Sequence, residues 1–257
     1  MNTPTVTLSS NTLFHFTRTL DTLLSILTHE FRPRFSKETL PVHGDTLING
    51  IPMTCFCDIP LSQTQAHMSM YGNYALGLTK EWGMRNSVCP VLYGVAPSPI
   101  TDGLYRVMKG GLGLRGPLTR GSKVDEKLWK DIYRISCYVK PYEAPFLRNG
   151  TVHPNVRFYD EREWRWVPDV SGTRFEFGID ESQCDDPVSL SAANNQLWND
   201  ARLSFEPSDI RYILVASEAE ILPMIDHIRN IKAKYSDTEK NLLMTRLTSA
   251  EQVRADF

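Results

Sequence analysis

Residues 159–168 read YDEREWRWVP, with two acids, two arginines and two tryptophans filling Glu161 to Trp166. A period of two sorts this stretch as a strand, with Glu161, Glu163 and Arg165 on one face and Arg162, Trp164 and Trp166 on the other. Both carboxylates then point the same way, about 7 Å apart along the strand. Paired acids so placed look more like a site than a surface. The structural alternative is a salt ladder with Arg162 and Arg165. Isolated surface pairs contribute little and do not require neighbouring indoles, which favours the chemical reading.

Two further clusters carry candidate groups. His15-Phe16-Thr17 ends a short apolar strand, and Met70-Tyr71-Gly72-Asn73-Tyr74 is a turn flanked by tyrosines. Taken alone, the first is better explained by a satisfied core histidine and the second by core tyrosines beside a Gly-Asn turn. The segment Leu104–Lys123 holds Arg106, Lys109, Arg115, Arg120 and Lys123, no acid, and five glycines. It reads as a flexible, locally basic loop suited to a phosphate backbone, with Tyr105 and Trp129 available for stacking; an ordinary solvated loop is the alternative. Cys55-x-Cys57 with His67 matches no common zinc spacing, so no metal is expected. Gly110-Gly111-x-Gly113 lacks the lysine and serine of a P-loop.

The elements that must hold these groups follow from hydrophobic period. Leu13 to Thr17 is a strand. Leu20, Leu23, Leu24 and Leu27 recur at helical spacing, with Asp21 in the first turn. Arg32 to Gly50 reads as a polar loop, Ile51–Cys57 as a strand, Leu61 to Met70 as a short helix stopped at Tyr71-Gly72, and Tyr74–Leu78 and Val91–Val95 as strands. Lys127–Val139 is helical, Asp180 to Asp186 irregular, Arg211–Ser217 a strand, Glu218–Ile231 a helix and Leu242–Leu247 a last strand. No repeat or biased linker marks a boundary. The expectation is a single α+β domain over residues 1–257, with a motif core at about 12–168 and a strand–helix–strand packing on it from 205 to 257.

The 257 residues are 41% apolar and 23% charged, ordinary values for a folded chain, and the net charge of −2 exerts no global pull on nucleic acid or membrane. No stretch approaches the roughly 18 to 20 apolar residues of a membrane helix. The first sixteen residues lack a basic and an apolar region, so no secretory signal is expected. Five scattered cysteines fit a reducing, cytoplasmic setting.

The order of the motifs resembles the ADP-ribosyltransferase superfamily: FHFTRTLDTLLSILTHEF, then MYGNYALGL, then EREWRW. More narrowly, FHFT, CFCDIPLS, YGNYALGLTKEWG and YDEREWR look like the AbiGi family of phage-resistance proteins, over roughly residues 12 to 168. The resemblance implies a split β-sheet core flanked by helices. It also implies an NAD-dependent mono-ADP-ribosyltransferase toxin of an antiphage toxin–antitoxin system, acting on nucleic acid, with RNA favoured through the similarity to DarT-type enzymes. Glu163, followed by an aromatic residue as in those enzymes, would stabilise the oxocarbenium-like ribose, and Glu161 would serve the acceptor. His15 would bind a ribose hydroxyl assisted by Thr17, and the Phe16 backbone would read the nicotinamide amide. Tyr74 or Tyr71 would stack on the ring. Arg18, Arg32 or Arg34 would pair with the pyrophosphate, and Lys109, Arg115 and Arg120 would contact the acceptor. Such a toxin would need a neutralising antitoxin. Two alternatives stand beside it: an NAD glycohydrolase, and a non-catalytic antitoxin, since AbiGi proteins have been labelled antitoxins.

Overall fold

β1 (Thr12–Thr17) leads into α1 (Leu20–His29). Thr19 fixes the helix start, its side chain accepting a hydrogen bond from the Thr22 N–H, and Asp21 faces the positive end of the helix dipole. Leu23, Ile26 and Leu27 form the buried stripe that the leucine spacing announces. The computed structural model describes residues 10–42, 45–113, 123–148, 150–231 and 235–256. β2 (Arg34–Val42) and β3 (Asp45–Cys57) come next, then α2 (Gln65–Tyr71), β4 (Tyr74–Thr79) and α3 (Lys80–Arg85). Two short strands, β5 (Cys89–Pro90) and β6 (Leu92–Gly94), precede α4 (Pro99–Gly113) and α5 (Lys123–Ser136). β7 (Val139–Pro141), β8 (Glu143–Arg148), β9 (Thr151–Arg157) and β10 (Glu163–Trp166) lead to α6 (Glu181–Asp185) and α7 (Pro187–Asp200). The last elements are β11 (Ile210–Val215), α8 (Ile221–Asn230), α9 (Asp237–Met244), β12 (Leu247–Ser249) and α10 (Ala250–Asp256).

The fold is mixed α+β, and the chain divides into two compact units that the sequence does not announce. One comprises Met1–Arg32, Cys55–Cys89 and Arg202–Phe257; the other comprises Pro33–Thr54 and Pro90–Ala201. In the first unit β1 is antiparallel to β4, with His15 opposite Leu76 and Thr17 opposite Tyr74. β11 flanks β4 antiparallel and carries β12 parallel to itself. Phe14, Ile59, Met68, Ala75, Leu214 and Val253 pack as its core. Trp82 is fully buried there, its indole N–H donating to the Ser204 carbonyl at 2.9 Å. In the second unit β2 and β3 form a hairpin, β6 runs parallel to β7, and β8 pairs with β9. Phe35, Val170, Phe175, Ile179, Ala193 and Leu197 fill its core.

Four local expectations are corrected. The polar loop at 32–50 is the β2–β3 hairpin, whose alternation is masked by the charges of Arg34, Lys37 and Glu38. The basic loop at 104–123 is helical through Gly113, the glycines notwithstanding. The acidic stretch 180–186 holds a helix, because Asp180 and Gln183 form a capping box. Leu242 to Met244 belong to α9, capped by Ser236 and Glu239, and only Leu247 starts a strand.

Gly72 ends α2 with φ of 118°, and a Cβ there would collide with the Thr17 carbonyl oxygen. Both the backbone angle and the close approach require glycine. Gly72→Ala is therefore expected to lower stability by about 2 kcal/mol or more. A urea midpoint unchanged from the parent would contradict this account of the turn.

Candidate functional site

The opening stretch folds differently from a single strand. Phe158–Glu161 is a 3-10 turn, Arg162 takes the left-handed conformation with φ of 46°, and β10 begins only at Glu163. Glu161 and Glu163 are thus not successive residues on one strand face, which corrects the period-two reading. The alternation does hold from Glu163 onward, and it is inverted relative to ordinary expectation. Glu163 and Arg165 are buried, while Trp164 and Trp166 are half-buried. The left-handed turn still brings the two acids together, because both reach the same lysine.

Lys140 Nζ lies 2.6 Å from Glu161 Oε2 and 2.6 Å from Glu163 Oε2. Arg165, with no exposure to solvent, donates from Nε to Glu163 Oε1 at 2.5 Å. Its two terminal nitrogens donate to the Cys137 carbonyl at 2.8 Å and to Glu38 Oε2 at 2.6 Å. The Glu163 N–H donates to the Tyr93 hydroxyl at 2.8 Å, and the Phe158 ring lies 4.4 Å from Lys140 Nζ. Three carboxylates and two cations therefore form one connected network inside the second unit. Sequence reasoning found Glu161, Glu163 and Arg165. It missed Lys140, Glu38 and Tyr93, for which the only signal was a lysine between Val139 and Pro141 in an otherwise apolar strand.

The electrostatics follow from the geometry. Burial alone would raise the Glu163 pKa, but Arg165 and Lys140 override it and hold the carboxyl far below the ordinary glutamate range. Burial would likewise lower Lys140, and Glu163, Glu161 and Glu38 hold it well above its usual value. Burial pushes the Tyr93 phenol up, and the Cys137 thiol up to about 11, so that thiol is no nucleophile at neutral pH. Both Glu163 oxygens are occupied. Each oxygen thus faces a cation, and the side chain is buried.

The other candidates lie as follows. His15 Nδ1 is 2.7 Å from the Cys55 carbonyl oxygen, and its ring meets Phe31 and Phe56 at 5.2 and 5.7 Å between centroids. Burial lowers its pKa against the opposing effect of Cys55, so the ring is neutral at pH 7. A carbonyl can only accept, which places the proton on Nδ1 and leaves Nε2 with a lone pair. Thr17 is buried and its hydroxyl donates to the Thr19 carbonyl. Phe16, His67 and Tyr71 form a run of rings 5.5 and 4.8 Å apart. The Tyr74 hydroxyl donates to Glu220 Oε1 at 2.8 Å, and burial, then Glu220, raise it to about 12. Arg18 and Arg34 are exposed, the first in one unit and the second in the other. Lys109 lies on α4, whereas Arg115 and Arg120 fall outside the described residues. Cys57 is buried with its thiol on the Phe14 carbonyl, and Cys55 is half-buried.

A family model described as "Putative abortive phage resistance protein AbiGi, antitoxin" matches residues 25–216. That span contains every member of the ion network and omits His15, Phe16, Thr17 and Arg18. An abortive phage resistance protein AbiGi from Lactococcus lactis subsp. cremoris is 28% identical over 224 residues, which cover 80% of this chain and 89% of that protein. No solved structure matches the chain. Among the described residues, no helix is long and apolar enough to cross a membrane.

Removing one member of a buried ion network leaves the others uncompensated. Glu163→Gln is expected to cost about 3–5 kcal/mol of stability, and pairing it with Arg165→Met to cost less than the sum of the two single changes. Because the folded Glu163 pKa is depressed, its contribution is present above the ordinary glutamate range and fades as pH falls toward the depressed value. Urea titrations from pH 7 down to pH 3 should show the parent losing its advantage over Glu163→Gln. A constant difference between the two across that window would refute the assignment.

Proposed function

Because the chain belongs to the AbiGi family of abortive phage resistance proteins, we propose that it serves phage defence as a non-catalytic binding protein, the antitoxin of a toxin–antitoxin pair. One observation carries this reading: Glu163, the acid on which transferase chemistry would turn, has both oxygens committed to Arg165 and Lys140 in a buried site. A carboxylate held that way is a structural counter-charge. Stabilising a ribosyl cation needs a free, preorganised oxygen facing the reacting carbon. The word antitoxin in the description of the family lends the same reading support. Its partner is a protein toxin, bound through surface contacts rather than through the ion network.

The second reading is the NAD-dependent mono-ADP-ribosyltransferase, on an ADP-ribosyltransferase-like fold, with RNA as acceptor and an antitoxin supplied in trans. A specific observation favours it: the neutral His15 ring, anchored at Nδ1 by Cys55, offers Nε2 as an acceptor for a ribose hydroxyl. In that scheme Glu163 faces the ribosyl cation and Glu161 the nucleophile, and opening the network is part of substrate binding. Water in place of RNA makes the same scheme an NAD glycohydrolase.

One assay separates the readings. The purified chain is incubated with NAD labelled in the ADP-ribose moiety, alone and with RNA, DNA or cell protein. The antitoxin reading expects intact NAD under every condition, and expression of the chain alone that leaves growth unaffected. Labelled RNA would overturn it in favour of the transferase, and free ADP-ribose without labelled polymer in favour of the glycohydrolase.

A further inference from the structure

The first unit holds a polar cleft of about 420 Å³ that neither functional reading uses. Its most unusual residue is set by a bulge. Ile210 stands opposite Leu78 and Tyr212 opposite Gly77, so β11 advances two residues while β4 advances one. The extra residue is Arg211, and bulges of this kind re-aim a side chain away from the regular ladder. Arg211 is exposed and lines the cleft.

Arg246 meets it from the turn between α9 and β12. Its carbonyl accepts from the Ile213 N–H at 2.8 Å, which ties this turn to β11. The Arg246 Nε is buried and makes no hydrogen bond among the described residues. An unsatisfied buried donor costs about 1–3 kcal/mol, and a bound acceptor would remove that cost. Among the described residues neither Arg211 nor Arg246 has a carboxylate partner, and no acid lines the cleft. Asp209, the acid nearest in sequence, is held by Arg85 at 2.8 Å and by the Glu206 N–H at 3.0 Å.

The remaining lining defines what fits. Ser208 has a hydroxyl with no partner among the described residues. The hydroxyls of Thr245 and Thr248 already donate, to the Leu242 carbonyl and to Gln252, and present only lone pairs. The Tyr212 ring, stacked 5.6 Å from Phe14, is fixed by the core. The cleft thus offers two planar cationic forks and the hydroxyls of Ser208 and Thr79 beside an aromatic wall. Guanidinium forks match the paired oxygens of phosphate in geometry as well as charge. The volume lies at the lower end of the range, about 300–1,000 Å³, typical of small-molecule sites.

We propose that this cleft binds the phosphoryl group of a nucleotide-sized small molecule, held by Arg211 and Arg246 with Ser208 donating a third hydrogen bond. The site is independent of the buried ion network and of either reading of what that network does. Arg211 is placed for the purpose by the bulge.

Calorimetric titration of the full chain with inorganic phosphate, AMP and adenosine tests this. Phosphate and AMP should bind, adenosine should not, and affinity should fall as salt rises. Arg211→Gln and Arg246→Gln should each weaken AMP binding by about tenfold or more. In the absence of ligand, the thermal midpoint should be unchanged in Arg211→Gln and unchanged or raised in Arg246→Gln, which loses an unsatisfied donor. A structural arginine would behave in the opposite way. Failure of phosphate and AMP to bind, binding that survives both substitutions, or equal binding of adenosine would each overturn the proposal. AMP should also bind at least as tightly as a 5′-phosphorylated RNA oligonucleotide; a clear preference for the oligonucleotide would overturn the assignment to a small ligand. Should Arg246→Gln fail to fold, the exposed Arg211→Gln still decides the matter.

Discussion

A guanidinium with no access to water must find acceptors inside the protein, and Arg165 does so on every side. Glu163 takes Nε, the Cys137 carbonyl takes one terminal nitrogen and Glu38 the other. That demand fixes the neighbours. β2 must present Glu38, the end of α5 must present the Cys137 carbonyl, and β10 must alternate so that Glu163 and Arg165 share its inner face. Lys140 then closes the network by answering Glu163 and Glu161 together. Substituting packed apolar residues for such a group is often neutral or stabilising, whereas deleting one member is not. The network therefore defines the second unit's interior as a set of mutually dependent choices.

This interdependence bears directly on function. The residue types at 161–166 are those a glycosyl-transfer site would use, and the same types are what a buried arginine requires. Burial separates the two uses. A catalytic carboxylate keeps a face toward its substrate; Glu163 is turned inward, its acidity strengthened by two cations that it also neutralises. A depressed pKa by itself fits either role, since a carboxylate that must stay ionised is wanted in both. The counter-charge role proposed for Glu163 rests on the occupied oxygens rather than on the pKa shift.

Much of the first unit was legible because its signals are local. The leucine stripe of α1, the strand at Leu13–Thr17, the stop at Tyr71-Gly72 and the strand–helix pair after Ile210 all follow from period and capping within a few residues. The second unit was harder. Its β2–β3 hairpin carries charges on residues that answer partners far along the chain: Lys37 pairs with Glu181 and Asp185, and Glu38 with Arg165. Those charges look like solvated loop until the partner is known. The pairing within Glu163-Trp164-Arg165 was visible as period two, but its direction was not, since nothing local says that the charged side faces inward and the indoles stay half-exposed. Arg162 hid the break between Glu161 and Glu163, because a left-handed arginine has no sequence signature.

Taken together, the two units treat charge in opposite ways. The second gathers three acids and two bases into one connected network of ion pairs. The first leaves two guanidiniums in one concavity with no acid beside them among the described residues, one of them carrying a buried donor that none of those residues fills. The acidic cluster that first draws the eye in the sequence is joined to Lys140 and Arg165 in one connected set of ion pairs.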